Sequence, residues 1–265
     1  MSKEILGSLE LNRIYEFDCA DGMKLLPDNS IDLIVTSPPY IDMKDYGHKE
    51  GTIAPNEYVE WFRPKVKEML RVLDNEGSFV LNVNDKPESK LRNPWIFKTI
   101  NMILDEGFLL YDTVIWDKMK SFIMPDKSRL SDCFEYLIWF VKSKDYNITF
   151  PEEVKVPVSE GTLKRRKYSC HGKDMSDLPT TKIPSTILKF SSLTKFKEHK
   201  AAYPEELPNF FISTCTKQNE IVLDPFMGSG TTGVVAKKLN RRFIGFELNP
   251  NYIEVANMRL DSLGD

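Results

Sequence analysis

Apolar residues along the chain fall into short unbroken runs separated by longer stretches with helical spacing. Ile31-Asp32-Leu33-Ile34-Val35 has the length and β-branched content of a buried strand. Ser78 to Val83, Phe108 to Trp116, Phe134 to Val141, Glu220 to Asp224 and Phe243 to Glu247 read the same way, and Arg13 to Phe17 alternates as a shorter strand. Helical spacing joins Tyr58, Trp61, Phe62, Met69, Leu70 and Leu73, where Pro64 is expected to kink or restart the helix. Asn93-Pro94 reads as a cap and first-turn proline, Ile96, Phe97, Ile100, Ile103 and Leu104 as the following helix face, and Gly107 as its stop. A short helix ends near Leu26; others follow Pro204, carry Val234, Val235 and Leu239, and start at the Asn249-Pro250 cap. From about Lys142 to Lys200 the periodicity fades, and Pro, Ser, Thr and Lys take over.

Composition changes this picture in one place. A chain of 265 residues holds one large domain, or one domain with an insertion. No apolar run approaches the roughly 18–20 residues of a membrane span, and the start, Met1-Ser2-Lys3-Glu4, lacks a secretory pattern. Cys19, Cys133, Cys170 and Cys215 are scattered without a C-x-x-C pair, so reduced thiols in a cytoplasmic protein are expected, with no metal site. The formal net charge is −3, but residues 142–200 hold 13 Lys and Arg against 7 Asp and Glu. That segment is therefore about +6 and the remainder about −9, a separation suited to one-faced contact with a polyanion or to a solvated loop-rich insertion.

Two stretches carry candidate chemistry. Thr36-Ser37-Pro38-Pro39-Tyr40 ends a strand with two prolines, which cannot join a ladder and which hold the preceding residues extended. The chain there is stiff, with carbonyls beside a hydroxyl and an aromatic ring at the sheet edge where α/β folds bind ligands. Asp224-Pro225-Phe226-Met227-Gly228-Ser229-Gly230-Thr231-Thr232 follows another strand and leads into a helix. Its glycines allow close backbone approach, and the helix start offers free N–H groups. Glu247 ends a strand about 20 residues later, the usual place for a ribose-binding carboxylate. The turn lacks G-x-G-x-x-G and has no lysine, so it suits an adenosine ligand without a pyrophosphate.

Together these stretches resemble the target-amine and cofactor motifs of DNA amino-methyltransferases. Their order resembles the circularly permuted β class, in which DNA recognition lies between the motifs. Asn56 to Phe62, Gly77 to Val80 and His199 to Pro204 extend the match. The resemblance implies a Rossmann-like α/β fold, a seven-stranded mixed sheet with helices on both faces, in permuted order. Residues 1–141 would form its catalytic half, 142–200 an inserted target-recognition region and 201–265 its cofactor-binding half. S-adenosylmethionine would sit over Asp224, Pro225, Phe226, Gly228 and Gly230, its ribose on Glu247 and its adenine near Asp18 and Ala20. His199, Ala201 and Pro204, with Thr231 and Thr232, would lie near the methionine end, although Lys200 and Tyr203 depart from the common pattern. Lys164, Arg165, Arg166 and Lys167, with Lys120 and Arg129, would contact DNA.

An exocyclic amine is a poor nucleophile because its lone pair is delocalised into the ring. Acceptors on its two N–H groups turn it toward a tetrahedral nitrogen; the Ser37 hydroxyl and Pro38 carbonyl are suited to this, with Pro39 stiffening the turn. Tyr40 would stack on a base swung out of the duplex. Serine in the Thr-Ser-Pro-Pro-Tyr form is typical of cytosine-N4 enzymes of restriction–modification systems, whereas adenine-N6 enzymes usually carry Asp or Asn there. The reading is therefore N4-cytosine methylation of double-stranded DNA, with N6-adenine methylation and a non-catalytic DNA-binding specificity partner as alternatives. A cognate restriction endonuclease is the implied functional partner, and monomer and homodimer stay open.

Overall fold

The computed structural model describes residues 4–39, 53–54, 57–85, 87–88, 91–119, 130–162, 179–191 and 203–264. Among them, eight strands form one sheet: β1 (Arg13–Glu16), β2 (Ile31–Thr36), β3 (Leu73–Val83), β4 (Leu109–Asp117), β5 (Phe134–Val141), β6 (Ile187–Lys189), β7 (Ile221–Asp224) and β8 (Arg242–Glu247). Their spatial order is β6-β4-β5-β3-β2-β7-β8-β1. β5 runs antiparallel to its neighbours β3 and β4, and every other pair is parallel. The sheet is thus mixed, as expected.

The central strands are apolar at consecutive positions because both faces are covered. Ile34, Phe79, Leu81, Ile138 and Phe140 pack with α1 (Cys19–Met23), α2 (Tyr58–Val72) and α3 (Trp95–Asp105). Leu33, Val35, Val80, Leu137 and Trp139 share the opposite core with α4 (Glu206–Cys215), α5 (Thr231–Lys238) and α6 (Pro250–Asp261). The β2–α2–β3 crossover therefore covers one face and β7–α5–β8 the other. Between β2 and β7 the connections diverge, and a crevice opens at the carboxyl ends of these two strands.

Three local expectations change. Pro64 does not divide α2, which runs unbroken from Tyr58 to Val72. Burial of Phe62, Val66, Met69 and Val72 along one face offsets the hydrogen bond the proline lacks. Helix α3 begins at Trp95 with Pro94 itself at the N-cap position, one residue later than read. The seven strands read from the sequence are all present, and β6 is an eighth inside the basic segment. It is three residues long and buries only Leu188, too little to register as periodicity. The described parts of 142–200 are anchored to the core at a few points and otherwise exposed or half-buried: Val154 and Leu188 join the α4-side cluster, and Thr149 N–H donates to Thr214 O at 2.9 Å.

Candidate active site

The two motifs meet through a buried carboxylate. β2 and β7 pair in register, Val222 with Leu33 and Leu223 with Ile34, which brings the ends of both strands to one edge. There the Thr36 hydroxyl donates to Asp224 Oδ1 at 2.7 Å, joining residues 188 positions apart. The Phe226 N–H donates to the same oxygen at 3.0 Å. The Tyr203 hydroxyl, at 3.1 Å, and the Thr232 hydroxyl both lie in hydrogen-bond reach of Asp224 Oδ2 and of each other, so their two protons are shared among three contacts. Asp224 is 1% exposed. Burial pushes its carboxyl above the ordinary value, against the pull of the hydrogen bonds from Thr232, Thr36, Phe226 and Tyr203. Burial first, and then the charge of Asp224, raise the Tyr203 hydroxyl well above its ordinary value. Each hydrogen bond to the carboxylate is worth roughly 1.5–3 kcal/mol. Asp224 thus holds the cofactor turn against the catalytic strand.

Glu247 ends β8 beside this turn. Gly228 N–H donates to its Oε2 at 2.8 Å, and the Leu248 and Asn249 N–H groups donate to Oε1 at 2.9 and 2.8 Å. Three backbone donors fix the carboxylate and fill Oε1, which leaves an acceptor site on Oε2 for a ligand hydroxyl. Gly230 has φ +80°, and a Cβ there would lie 2.7 Å from Ala256 Cβ on α6, so the turn cannot carry a side chain at this point. Pro225, buried, and the half-buried Phe226 complete the bend; the Phe226 ring lies 5.9 Å from Trp61 and 6.2 Å from Phe62. Thr231 and Thr232 open α5 and are buried; Arg259 on α6 donates to Thr231 Oγ1 at 3.1 Å and to Ser229 O at 2.6 Å.

Asp18 caps α1, accepting from the Ala20 N–H at 2.9 Å, and pairs with Lys65 Nζ at 3.2 Å. Lys65 is buried and lies 4.6 Å from the Trp61 ring centroid. Asp18 and Phe226 are both tied to Trp61 this way, so a carboxylate and an aromatic wall bound one side of the crevice. Ser37 is half-buried, Pro38 buried and Pro39 half-buried, directly past Thr36. Pro204 precedes α4, its carbonyl accepting from Leu207 N–H at 3.1 Å. Tyr40, Lys120, Arg129, Lys164, Arg165, Arg166, Lys167, His199 and Ala201 lie outside the described residues.

The sequence reading did not assign roles to Thr36, Tyr203, Lys65 or Arg259. A hydroxyl on the last residue of the strand, directly after the apolar run Leu33-Ile34-Val35, was the available signal for Thr36. Tyr203 looked like a departure, yet it fills the site's buried centre.

The family described as DNA methylase, covering N6 and N4 methyltransferases, matches residues 31–258. The chain is 32% identical to the orphan methyltransferase M.BamHII of Bacillus amyloliquefaciens over 250 residues, 88% of this chain and 89% of that protein. It is 30% identical to the Type II methyltransferase M.PvuII of Proteus hauseri over 282 residues, 93% of this chain and 82% of that protein. The solved structure of the PvuII DNA methyltransferase (cytosine-N4-specific) superposes with a TM-score of 0.70 at 27% identity, over 97% of this chain and 87% of that one.

Proposed function

The chain belongs to the DNA methylase family, and from that premise we propose that it methylates the exocyclic N4 amine of cytosines flipped out of double-stranded DNA. It is a site-specific DNA methyltransferase with S-adenosylmethionine as methyl donor. One observation carries the proposal. The Thr36–Asp224 hydrogen bond ties the strand end that carries Ser37 and Pro38, the proposed amine acceptors, to the glycine turn, whose Gly228 N–H bonds Glu247, and this supports the reading.

The residues present fit this cofactor. Glu247 would take a ribose hydroxyl on its remaining acceptor site, Phe226 would pack on the adenosine, and Asp18 would lie at the adenine end, with Gly228, Gly230, Thr231 and Thr232 lining the turn. The bound cofactor supplies an activated sulfonium methyl, so neither a covalent intermediate nor a metal is needed. Ser37 Oγ and the Pro38 carbonyl accept the two amine N–H groups and hold the nitrogen lone pair toward the turn. Most of the rate gain then comes from alignment and fixed dipoles. A serine hydroxyl is no strong base, so the proton leaves the nitrogen after transfer, when it is cationic and acidic.

Serine at position 37, where adenine enzymes of the family usually carry Asp or Asn, supports cytosine, as does the likeness to a structure titled cytosine-N4-specific. Incubation with S-adenosylmethionine and plasmid DNA, followed by base-resolved mapping, is expected to return N4-methylcytosine in one sequence context. N6-methyladenine would overturn the base assignment, and no transfer at all would favour a non-catalytic specificity partner. Tyr40→Ala is expected to lose turnover and keep cofactor affinity; loss of both together would remove the stacking role.

A further inference from the structure

On the far side of Ser37 from the cofactor turn, the same sheet edge carries a second polar cluster that the family reading leaves without a role. Thr36 pairs with Leu81, Asn82 with Leu137 and Trp116 with Glu135, so Ser37, Asn82 and Glu135 follow one another across the ends of β2, β3 and β5. Asn82 is 2% exposed, and its amide donates to Glu135 Oε2 at 2.8 Å and to Tyr136 O at 3.3 Å. Glu135 Oε1 lies 2.5 Å from Lys118 Nζ, the two side chains being 10% and 15% exposed. The Lys118 N–H is anchored on Cys133 O at 2.8 Å, and its ammonium lies 5.4 Å from the centroid of Trp116, whose indole N–H holds Phe190 O at 2.9 Å. Arg92, the next cation along this edge, is committed between Asp85 and Asp132.

An ion pair this enclosed adds little stability over apolar side chains of the same volume. Its neighbours on this face, Val80, Leu137 and Trp139, show that apolar packing is the rule there. The cluster is also electrically neutral, which suits an uncharged heterocycle better than a phosphate.

We infer that Lys118, aimed by Glu135 and Asn82, donates hydrogen bonds to the ring acceptors of the flipped target base. This rests on the N4-cytosine reading. With its amine on Ser37 and Pro38, a cytosine presents N3 and then O2 along the same edge, both acceptors that require donors. An ammonium has three N–H groups, more than one carboxylate oxygen takes. Glu135, which holds Lys118 Nζ at 2.5 Å, stands two strands from Ser37, about 10 Å, on the scale of a pyrimidine with a hydrogen bond of about 2.9 Å at each end. Adenine carries C2–H where cytosine carries O2, so the second donor distinguishes the two bases. Lys118 is in this sense a specificity-determining residue, and Glu135 and Asn82 are positioning residues.

The test uses the full chain and duplexes containing the mapped recognition sequence, with either cytosine or an abasic site at the target position. Lys118→Met should weaken binding of the cytosine duplex about tenfold to a hundredfold, as loss of a charged hydrogen bond implies. It should leave binding of the abasic duplex and of S-adenosylmethionine unchanged, and Lys118→Arg should recover most of the loss. Equal weakening on both duplexes would assign Lys118 to phosphate and overturn the inference. Should Lys118→Met lower thermal stability, the apolar pair Lys118→Met with Glu135→Leu enters the same two-duplex comparison, and a loss confined to cytosine again supports the contact. The wild-type product decides the N4 reading separately: N6-methyladenine would end that reading, while the dependence on an intact target base would still decide the Lys118 contact.

Discussion

Two aspartates tie the same pair of strands at opposite ends, and only one of them builds a site. Asp32, near the start of β2, accepts the Ile221 N–H of β7 at 2.7 Å. Asp224, at the end of β7, accepts the Thr36 hydroxyl of β2 at 2.7 Å. Asp224 is enclosed and answered by donors from four residues, Thr36, Tyr203, Phe226 and Thr232. Asp32 shares a small hollow with Asp74, Glu76 and Glu220. Burial raises its carboxyl to about 6, helped by the nearby charges of Glu220 and Asp74. Both residues close the β2–β7 seam. The carboxyl edge alone collects converging donors, because there the turns after β7 and β8 and the segment entering α4 fold back toward the strand ends.

The comparison breaks most visibly at Asp224. Asp224→Ala removes the acceptor shared by three hydroxyls and one N–H and should cost on the order of 4 kcal/mol, with loss of cofactor affinity. Chemical denaturation and cofactor titration together check this, and wild-type stability would dissolve the proposed clamp. Thr36→Val keeps the volume and removes the Thr36–Asp224 hydrogen bond between the motifs. It should cost about 1.5–3 kcal/mol and lower turnover more than cofactor affinity, read as a split between kcat and the cofactor KM. Tyr203→Phe removes one donor where Thr232 stays on the same oxygen, so a smaller loss of about 1 kcal/mol is expected in urea titrations.

Asp32→Asn runs the other way. The Asp32 carboxyl titrates at about 6 in the fold, against an ordinary value of 3.8. The folded chain therefore holds this proton more tightly than the unfolded chain, and stability falls as pH rises from near 4 through about 6. An asparagine keeps an acceptor for Ile221 without the charge. The variant should melt higher than wild type above pH 6, with the advantage fading toward pH 4. Parallel melting curves across that range check it, and a pH-independent difference would mean that the charge is not the cause.

What could be read along the chain was whatever depends on a residue and its near neighbours. The central strands announced themselves because both faces of the sheet are covered there, so each carries an apolar run, and the edge strand β1 showed only as a short alternation. The glycine turn was legible because Gly230, at φ +80° against α6, leaves no room for another residue. The Asn249 cap was legible because its side chain bonds an N–H two residues on, at 3.0 Å. Strand β6 was not, since its three residues owe their pairing to β4 rather than to their own pattern.

The sequence by itself determined the two motifs, their order, the α/β alternation and the family they resemble. Tertiary structure alone decided that Thr36 bonds Asp224, that Tyr203 completes the network around it, and that Lys118, Glu135 and Asn82 converge at the sheet edge that also carries Ser37. The reason is physical. A hydroxyl, a carboxylate or an ammonium has no preference in sequence for a partner 188 positions away. It acquires one only when sheet order and register bring the two side chains together and burial removes water as the alternative partner.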